Sequence, residues 1–366
     1  MMYDYLIVGA GYAGSVFAER ITSQLNKKVL LVEKRSHIGG NAYDEFDEHG
    51  ILVHRYGPHI FHTNSKMVFE YLSQFTEWLF YEHKVLAKLG SELYPIPINR
   101  LTLNKLYNLN LKDEEETKHY FDKVKELKYP ILNSEDIIVS QVGRDLYEKF
   151  FKFYTYKQWN LIPSELSAQV CGRIPVRLND DCRYFTDKYQ FMPKHGYTKL
   201  FEKMLANKNI EIVLGTDYKS ILNDVKINKL IYTGPIDYFF DNEFGKLPYR
   251  SIEFEWKHFN KVQAQETAQI NYVEKEVNYT RVVEHKQLTG QKVDGTTLSY
   301  EYARAEGEPF YPIPTNDNRD LYLKYRKEAD KLKSVIFCGR LAEYQYYNMD
   351  QVVANTLKNF KEMHHA

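Results

Sequence analysis

The period of the apolar positions changes several times along the chain, and each change predicts a different element. Residues 3–8 (YDYLIV) are a short apolar run before a glycine turn and predict a buried strand. Residues 12–25 follow with helical spacing. Residues 28–33 (KVLLVE) return to an unbroken apolar run, so the start reads as a β-α-β unit. From Ser65 to about Asn160 the pattern is helical. Within 65–80, Val68, Tyr71, Leu72, Phe75 and Leu79 recur every three to four positions behind Asn64 or Ser65, either of which suits an N-cap. Ile138, Val142, Leu146 and Phe150 repeat that spacing across 135–154. Between these stretches LKDEEETKHYFDKVKELK carries its acids first and its lysines later, which predicts a solvated helix rather than a ligand site. From about 249 to 303 the period falls to two, in YRSIEFEW, AQINYV, YTRVVEH and LSYEYA, and predicts antiparallel strands with one wet face. The tail predicts a helix at 319–333, a strand at 334–338 and a helix at about 349–362. With α/β character at both ends, the last segment is expected to complete the first unit.

Composition narrows the function classes. The chain has 366 residues, room for two or three compact units at about 150 residues each. Lys+Arg and Asp+Glu balance at 49 each, so the field expected of a nucleic-acid binder is missing. No stretch approaches the roughly 18 apolar residues of a membrane span, and MMYDYLIVGAG lacks the pattern of a secretory leader. A cytoplasmic protein with no membrane and no nucleic-acid partner is expected. Cys171, Cys182 and Cys338 are odd in number and widely spaced, as idle thiols in a reducing compartment are. The 31 tyrosines combine flat apolar faces with hydroxyls, a pairing that suits sugars, bases and phosphates.

The chemistry starts at GAGYAG, where Gly9, Gly11 and Gly14 stand between the first strand and its helix. Glycine permits the tight turn, the close approach of backbone to a pyrophosphate and tight strand–helix packing, while the helix start faces the phosphates. Glu33 ends the second strand, where an acid holds an adenosine ribose hydroxyl. Gly39 and Gly40 then form a second glycine-rich loop in KRSHIGGNA, and Gly339-Arg340 follows the last strand. These features favour FAD over NAD. No second G-x-G-x-x-G exists, so a hydride donor would be a visiting reductant. His59 and His62 in GPHIFHT have no Cys, Asp or Glu cluster beside them, so no metal is expected. Tyr154, Thr155 and Trp159 in FFKFYTYKQW, with Arg173 nearby, suit base stacking and phosphate binding; Arg281 lies on a predicted strand. Read alone, these residues define a flavoprotein with basic, aromatic pockets. An amine oxidase or desaturase-type oxidoreductase remains open, while an inactive nucleotide-binding module would have lost the arginines or the glycines.

Taken in order, GGNAYDE, YGPHIFHT, YTYKQW, PSEL, RIPVR, MPKHGYTKL, IYTGPID, YTRVVEHK, EPFYPIP and FCGRLAEYQYY make the chain resemble prokaryotic UDP-galactopyranose mutases over essentially its whole length. The resemblance implies an α/β fold. A discontinuous Rossmann-like FAD-binding domain (1–77, 194–244 and 312–366) is joined to a helical bundle with the uridine site (100–168) and an antiparallel β-sheet domain (78–99, 169–193 and 245–311). It implies a homodimeric isomerase that interconverts UDP-galactopyranose and UDP-galactofuranose for surface glycans. The family reaction proceeds through an adduct between N5 of reduced FAD and the sugar, with reduction by an external donor such as NAD(P)H.

By the same resemblance Arg173 is a mobile-loop arginine reaching the substrate diphosphate, Arg281 a fixed one, and His62 lies beside flavin and sugar. Tyr184, Tyr311 and Tyr346 would bind the diphosphate, while Phe150, Tyr154, Thr155, Trp159 and Asn271 would hold uridine. Gly9, Gly11, Gly14, Glu33, Gly40, Asn41, Pro58, Arg340 and Met349 would surround FAD. Where the family commonly carries an aspartate this chain has Asn348, with Asp350 two places on. His59 stands where arginine accompanies acceptance of the N-acetylated sugar, which favours plain galactose.

Overall fold

The computed structural model describes residues 2–365. Its organising layer is a five-stranded parallel sheet in the spatial order Ile210–Val213, Val29–Val32, Met2–Val8, Lys226–Tyr232, Val335–Phe337. The unbroken apolar runs are explained by cover on both faces. Ile7, Leu31 and Ile231 point into a core shared with helices Tyr12–Leu25 and Met349–His365. Leu6, Leu30, Leu230 and Tyr232 point the other way, into a core with Tyr325 and Ala329 of helix Asn316–Ala329. The last segment joins the first unit, as the α/β character of both ends predicts, and two strands from the middle of the chain, Ile210–Val213 and Lys226–Tyr232, complete the sheet.

The second layer is a seven-stranded sheet in the order Tyr311–Pro312, Tyr249–Phe259, Thr296–Arg304, Arg281–Glu284, Gln269–Tyr272, Val85–Leu89, Glu92–Ile96. Its pairs are antiparallel except Gln269–Tyr272 with Val85–Leu89, which runs parallel, so the antiparallel expectation needs that amendment. Tyr249–Phe259 alternates between exposed Glu253, Glu255 and Lys257 and half-buried Phe254 and Trp256, the wet-faced pattern its sequence carries. A helical region packs Phe121, Ile138, Val142, Leu146 and Phe150 against Val85, Ala87, Tyr94 and Ile96 of this sheet.

The helical stretch from Ser65 to Asn160 is shorter and more broken than its periodicity predicts. Ser65 caps the first helix, accepting from Val68 N, but that helix ends at Leu72. Trp78–Phe80 instead forms a strand against Tyr189–Pro193, a partner more than a hundred positions away that local spacing cannot reveal. The predicted solvated helix is present at Glu114–Val124, capped by Asp113. The 135–154 helix is interrupted at Gly143, whose φ of +82° is open to glycine at little cost. A Cβ there would lie 2.3 Å from the Val124 carbonyl oxygen, so the interruption lets two segments touch. Beyond it the backbone loosens into a π-helical turn at Tyr147–Lys152 before helix Phe153–Trp159.

Candidate active site

A cleft of about 1310 Å³ opens at the carboxyl ends of Met2–Val8, Val29–Val32 and Lys226–Tyr232, the position where open α/β sheets hold ligands. Gly9, Gly11, Glu33, Gly40, Asn41, Arg340 and Met349 all line it. Gly9 and Gly40 have φ of +100° and +55°, and a Cβ on Gly40 would stand 2.9 Å from Gly11 Cα. The two glycine loops therefore press backbone against backbone and leave a bare cradle for a dinucleotide. Gly11 caps helix Tyr12–Leu25, so the positive end of a helix 14 residues long faces that cradle. The Glu33 carboxylate accepts the Ala10 N–H at 2.8 Å and the Arg35 N–H at 2.9 Å, which fixes it while leaving lone pairs for a ribose hydroxyl.

Gly14 does not line the cleft. A Cβ there would fall 1.9 Å from the Gly9 carbonyl oxygen, so its part is to let the helix close on the strand. Pro58 is half-buried between Gly57 and His59; His59 lines the cleft wall and Pro58 does not. The His59 ring bonds the Gly57 carbonyl through Nδ1 at 2.8 Å, and burial pushes its pKa down to about 3, so the ring is neutral. At Arg340, Nε is buried without a partner and burial lowers its pKa. A half-buried cation with a buried, unused donor in a dinucleotide-sized cleft fits an anionic cofactor such as FAD.

A second, smaller pocket of about 80 Å³ gathers Phe150, Tyr154, Thr155, Trp159, Tyr184 and Asn271, six residues that sequence resemblance assigns to the nucleotide sugar. Gln158, Cys171 and Val273 join them, and sequence reading had not singled these out as site residues. Arg281 stands beside Glu301 in register on the neighbouring strand, and its Nε donates to Glu301 Oε2 at 2.6 Å. Burial opposes the charge of Arg281. Glu301, Tyr154 and Tyr311 outweigh it, and the guanidinium stays charged. Burial also raises the pKa of the Tyr154, Tyr184 and Tyr311 phenols, which remain neutral donors.

Tyr346 lines neither recess but touches a residue of each, Arg340 of the larger and Trp159 of the smaller. Arg173 lies over its ring with Cζ 4.3 Å from the centroid, and Arg340 approaches it at 5.1 Å. Trp159 and Tyr311 flank the same ring at centroid distances of 5.9 Å and 5.5 Å. Arg173 follows the short helix Ala168–Gly172, is exposed, and donates from Nη2 to Asn348 Oδ1 at 2.7 Å. That contact gives the departure at Asn348 a structural role.

His62 lines neither recess. Its Nδ1 meets Asp187 Oδ2 at 2.9 Å and its ring stacks on Phe185 at 3.6 Å, beside the aromatic layer that includes Tyr184. Glu301 is invisible in sequence because only strand register brings it to Arg281, and Asp187 because it reaches His62 from the loop before strand Tyr189–Pro193. Among the described residues no group of three or more His, Cys, Asp or Glu side chains is placed to hold a metal. Nor is any described helix long and apolar enough to cross a membrane.

A Rossmann-type sheet, glycine cradle and acid-ended second strand define a dinucleotide-binding flavoprotein with a second, smaller aromatic pocket. Residues 7–75 match the NAD(P)-binding Rossmann-like domain family, and residues 149–346 match the UDP-galactopyranose mutase family. A UDP-galactopyranose mutase of Mycoplasma genitalium is 38% identical over 99% of this chain and 95% of its own length. A dTDP-fucopyranose mutase of Escherichia coli is 35% identical over 98% and 97%. The crystal structure of a reduced UDP-galactopyranose mutase shares the fold, with a TM-score of 0.81 at 16% identity over 99% of this chain and 96% of that one. The chain belongs to the UDP-galactopyranose mutase family, which is a family of FAD-dependent isomerases.

Proposed function

We propose that this protein interconverts UDP-galactopyranose and UDP-galactofuranose with FAD in its reduced state, in the cytoplasm, as a homodimer supplying furanose units for surface glycans. The observation that carries the reading is Tyr346, whose ring is approached by two guanidinium groups, those of Arg173 and the cleft residue Arg340, and by Trp159 of the smaller pocket. FAD fits the glycine cradle, Glu33 and the unpaired Arg340. When bound and reduced, it supplies the nucleophile for the anomeric carbon. The side chains do the rest. Phe150, Tyr154, Thr155, Trp159 and Asn271 hold the uridine, and Tyr184, Tyr311 and Tyr346 donate to the diphosphate. Arg281, charged and half-buried, stabilises the negative charge that grows on the departing UDP, an effect worth about 3 kcal/mol for one such donor. Arg173 exchanges its Asn348 contact for the diphosphate and shields the sugar from water. His62, oriented by Asp187, borders the sugar, and the Pro58 carbonyl serves the reduced cofactor. In this reading FAD belongs to 1–77, 194–244 and 312–366, uridine to 100–168, and the sheet unit to 78–99, 169–193 and 245–311.

The test is product analysis with oxidised and reduced enzyme, using a reductant such as NAD(P)H or dithionite. Furanose should form only with reduced enzyme and without stoichiometric loss of reductant. Reductant consumed in proportion to product would instead establish an oxidoreductase. The relative named for dTDP-fucopyranose makes that sugar nucleotide the necessary competitor, and a preference for it would move the substrate assignment. UDP-N-acetylgalactosamine, tested in parallel, reports on the neutral His59.

A further inference from the structure

Lys157 sits in YTYKQW yet lines neither recess. From helix Phe153–Trp159 its Nζ donates to the carbonyls of Tyr272, Glu274, Val277 and Tyr279 at 2.6, 2.9, 2.9 and 3.1 Å. All four carbonyls belong to the connection between strands Gln269–Tyr272 and Arg281–Glu284, or to its edges. A lysine ammonium ordinarily keeps its three N–H groups in water. Here they are all spent on the backbone of one loop, and Lys157 forms no salt bridge among the described residues.

The location gives this cage a purpose. One wall of the nucleotide pocket is Tyr154, Thr155 and Trp159 on the helix, and the facing wall is Asn271 and Val273 on the hairpin. Val273 lies between two of the caged carbonyls. The helix end is tied elsewhere too: the Gln158 amide reaches the Tyr311 hydroxyl, and the Gln158 carbonyl accepts Arg250 Nε at 3.0 Å. Those ties lead to other strands, whereas the Lys157 ammonium leads to the facing wall. Arg281 does not depend on it, because Glu301 and strand pairing on both sides hold that residue.

We propose that Lys157 is a positioning residue that sets the width of the nucleotide pocket by fastening the 272–280 hairpin to the helix bearing Tyr154, Thr155 and Trp159. The inference rests on the nucleotide-sugar reading above. Its signature is a loss of nucleotide affinity without an equal loss of turnover.

The experiment uses FAD-loaded full-length protein. It measures Kd for UDP by tryptophan fluorescence, then KM and kcat for UDP-galactose under reduction, with FAD content and melting temperature as controls. In Lys157→Met, Kd and KM should rise about tenfold while kcat stays within about twofold. Lys157→Arg, which keeps a charged donor fork, should recover most of the affinity. Unchanged Kd and KM in Lys157→Met overturn the proposal, as does a fall in kcat alone. If Lys157→Met does not fold with FAD, Lys157→Gln, which keeps an amide donor, is read by the same criterion. Loss of folding in both variants overturns the proposal in favour of a purely structural lysine. Failure of the wild-type protein to bind UDP would instead defeat the nucleotide-sugar reading.

Discussion

Replacing Arg281 by alanine tests the proposed chemistry and the buried electrostatics in one experiment. Arg281 and Glu301 are cross-strand partners joined at 2.6 Å, Glu301 is 1% exposed, and its Oε1 already lacks a partner. Removing the guanidinium leaves a carboxylate that is neither solvated nor paired, a change that costs about 3–5 kcal/mol. The same deletion removes the fixed cation proposed to meet the leaving diphosphate, about 3 kcal/mol of transition-state stabilisation or a hundredfold in rate. The two effects separate in a double variant. Arg281→Ala with Glu301→Gln removes the orphaned charge, so chemical unfolding should return to within about 2 kcal/mol of wild type. Turnover should stay about a hundredfold down, because nothing replaces the cation. Arg281→Lys should fall between, since an ammonium carries the charge without the planar fork. Activity that recovers in step with stability would refute the argument: Arg281 would then be a strut, and the diphosphate cation would lie elsewhere.

Three further outcomes are expected. Asn348→Asp turns the Arg173 contact into an exposed ion pair that competes with substrate. KM should rise by up to about fivefold, less at high salt, and steady-state kinetics at two ionic strengths checks this. Gly40→Ala forces a Cβ onto φ +55° and against Gly11 Cα, so the purified variant should lose its yellow colour or bind FAD at least about tenfold more weakly, read by absorbance and titration. His54, with its pKa pushed down by burial to about 4, and His285, held well below its ordinary value, are buried in the neutral form. Their stabilisation is complete above the unfolded value of 6.5 and is lost as pH falls towards their folded values. The unfolding free energy from denaturant titrations should therefore drop between pH 6.5 and 4 by roughly 1.4 kcal/mol per pH unit for each, and His54→Gln should flatten that slope.

The local elements were legible in sequence wherever one residue's neighbours decide its conformation. Helix Tyr12–Leu25 begins and ends where the apolar spacing puts it, because the glycine turn before it and the period within it are local facts. Of the two cap candidates Asn64 and Ser65, Ser65 starts its helix, within reach of sequence because a side-chain cap spans only two or three positions. GAGYAG and Glu33 announced the cofactor cleft for the same reason: a glycine's freedom and an acid at a strand end are properties of short segments.

What sequence alone could not decide was everything set by register between distant segments. Leu79 completes a helical period yet sits on a strand, since pairing with Tyr189–Pro193 satisfies its backbone and spacing carries no knowledge of that partner. Glu301 reads as one more polar position on a half-exposed strand until antiparallel register with Arg281–Glu284 sets it against Arg281. His62 finds Asp187, and Lys157 its four carbonyls, across 125 and at least 115 positions. Motif order named the ingredients of the site. Their pairing belongs to the tertiary structure, because a buried charge is stable only beside its partner and only the folded chain determines which partner arrives there.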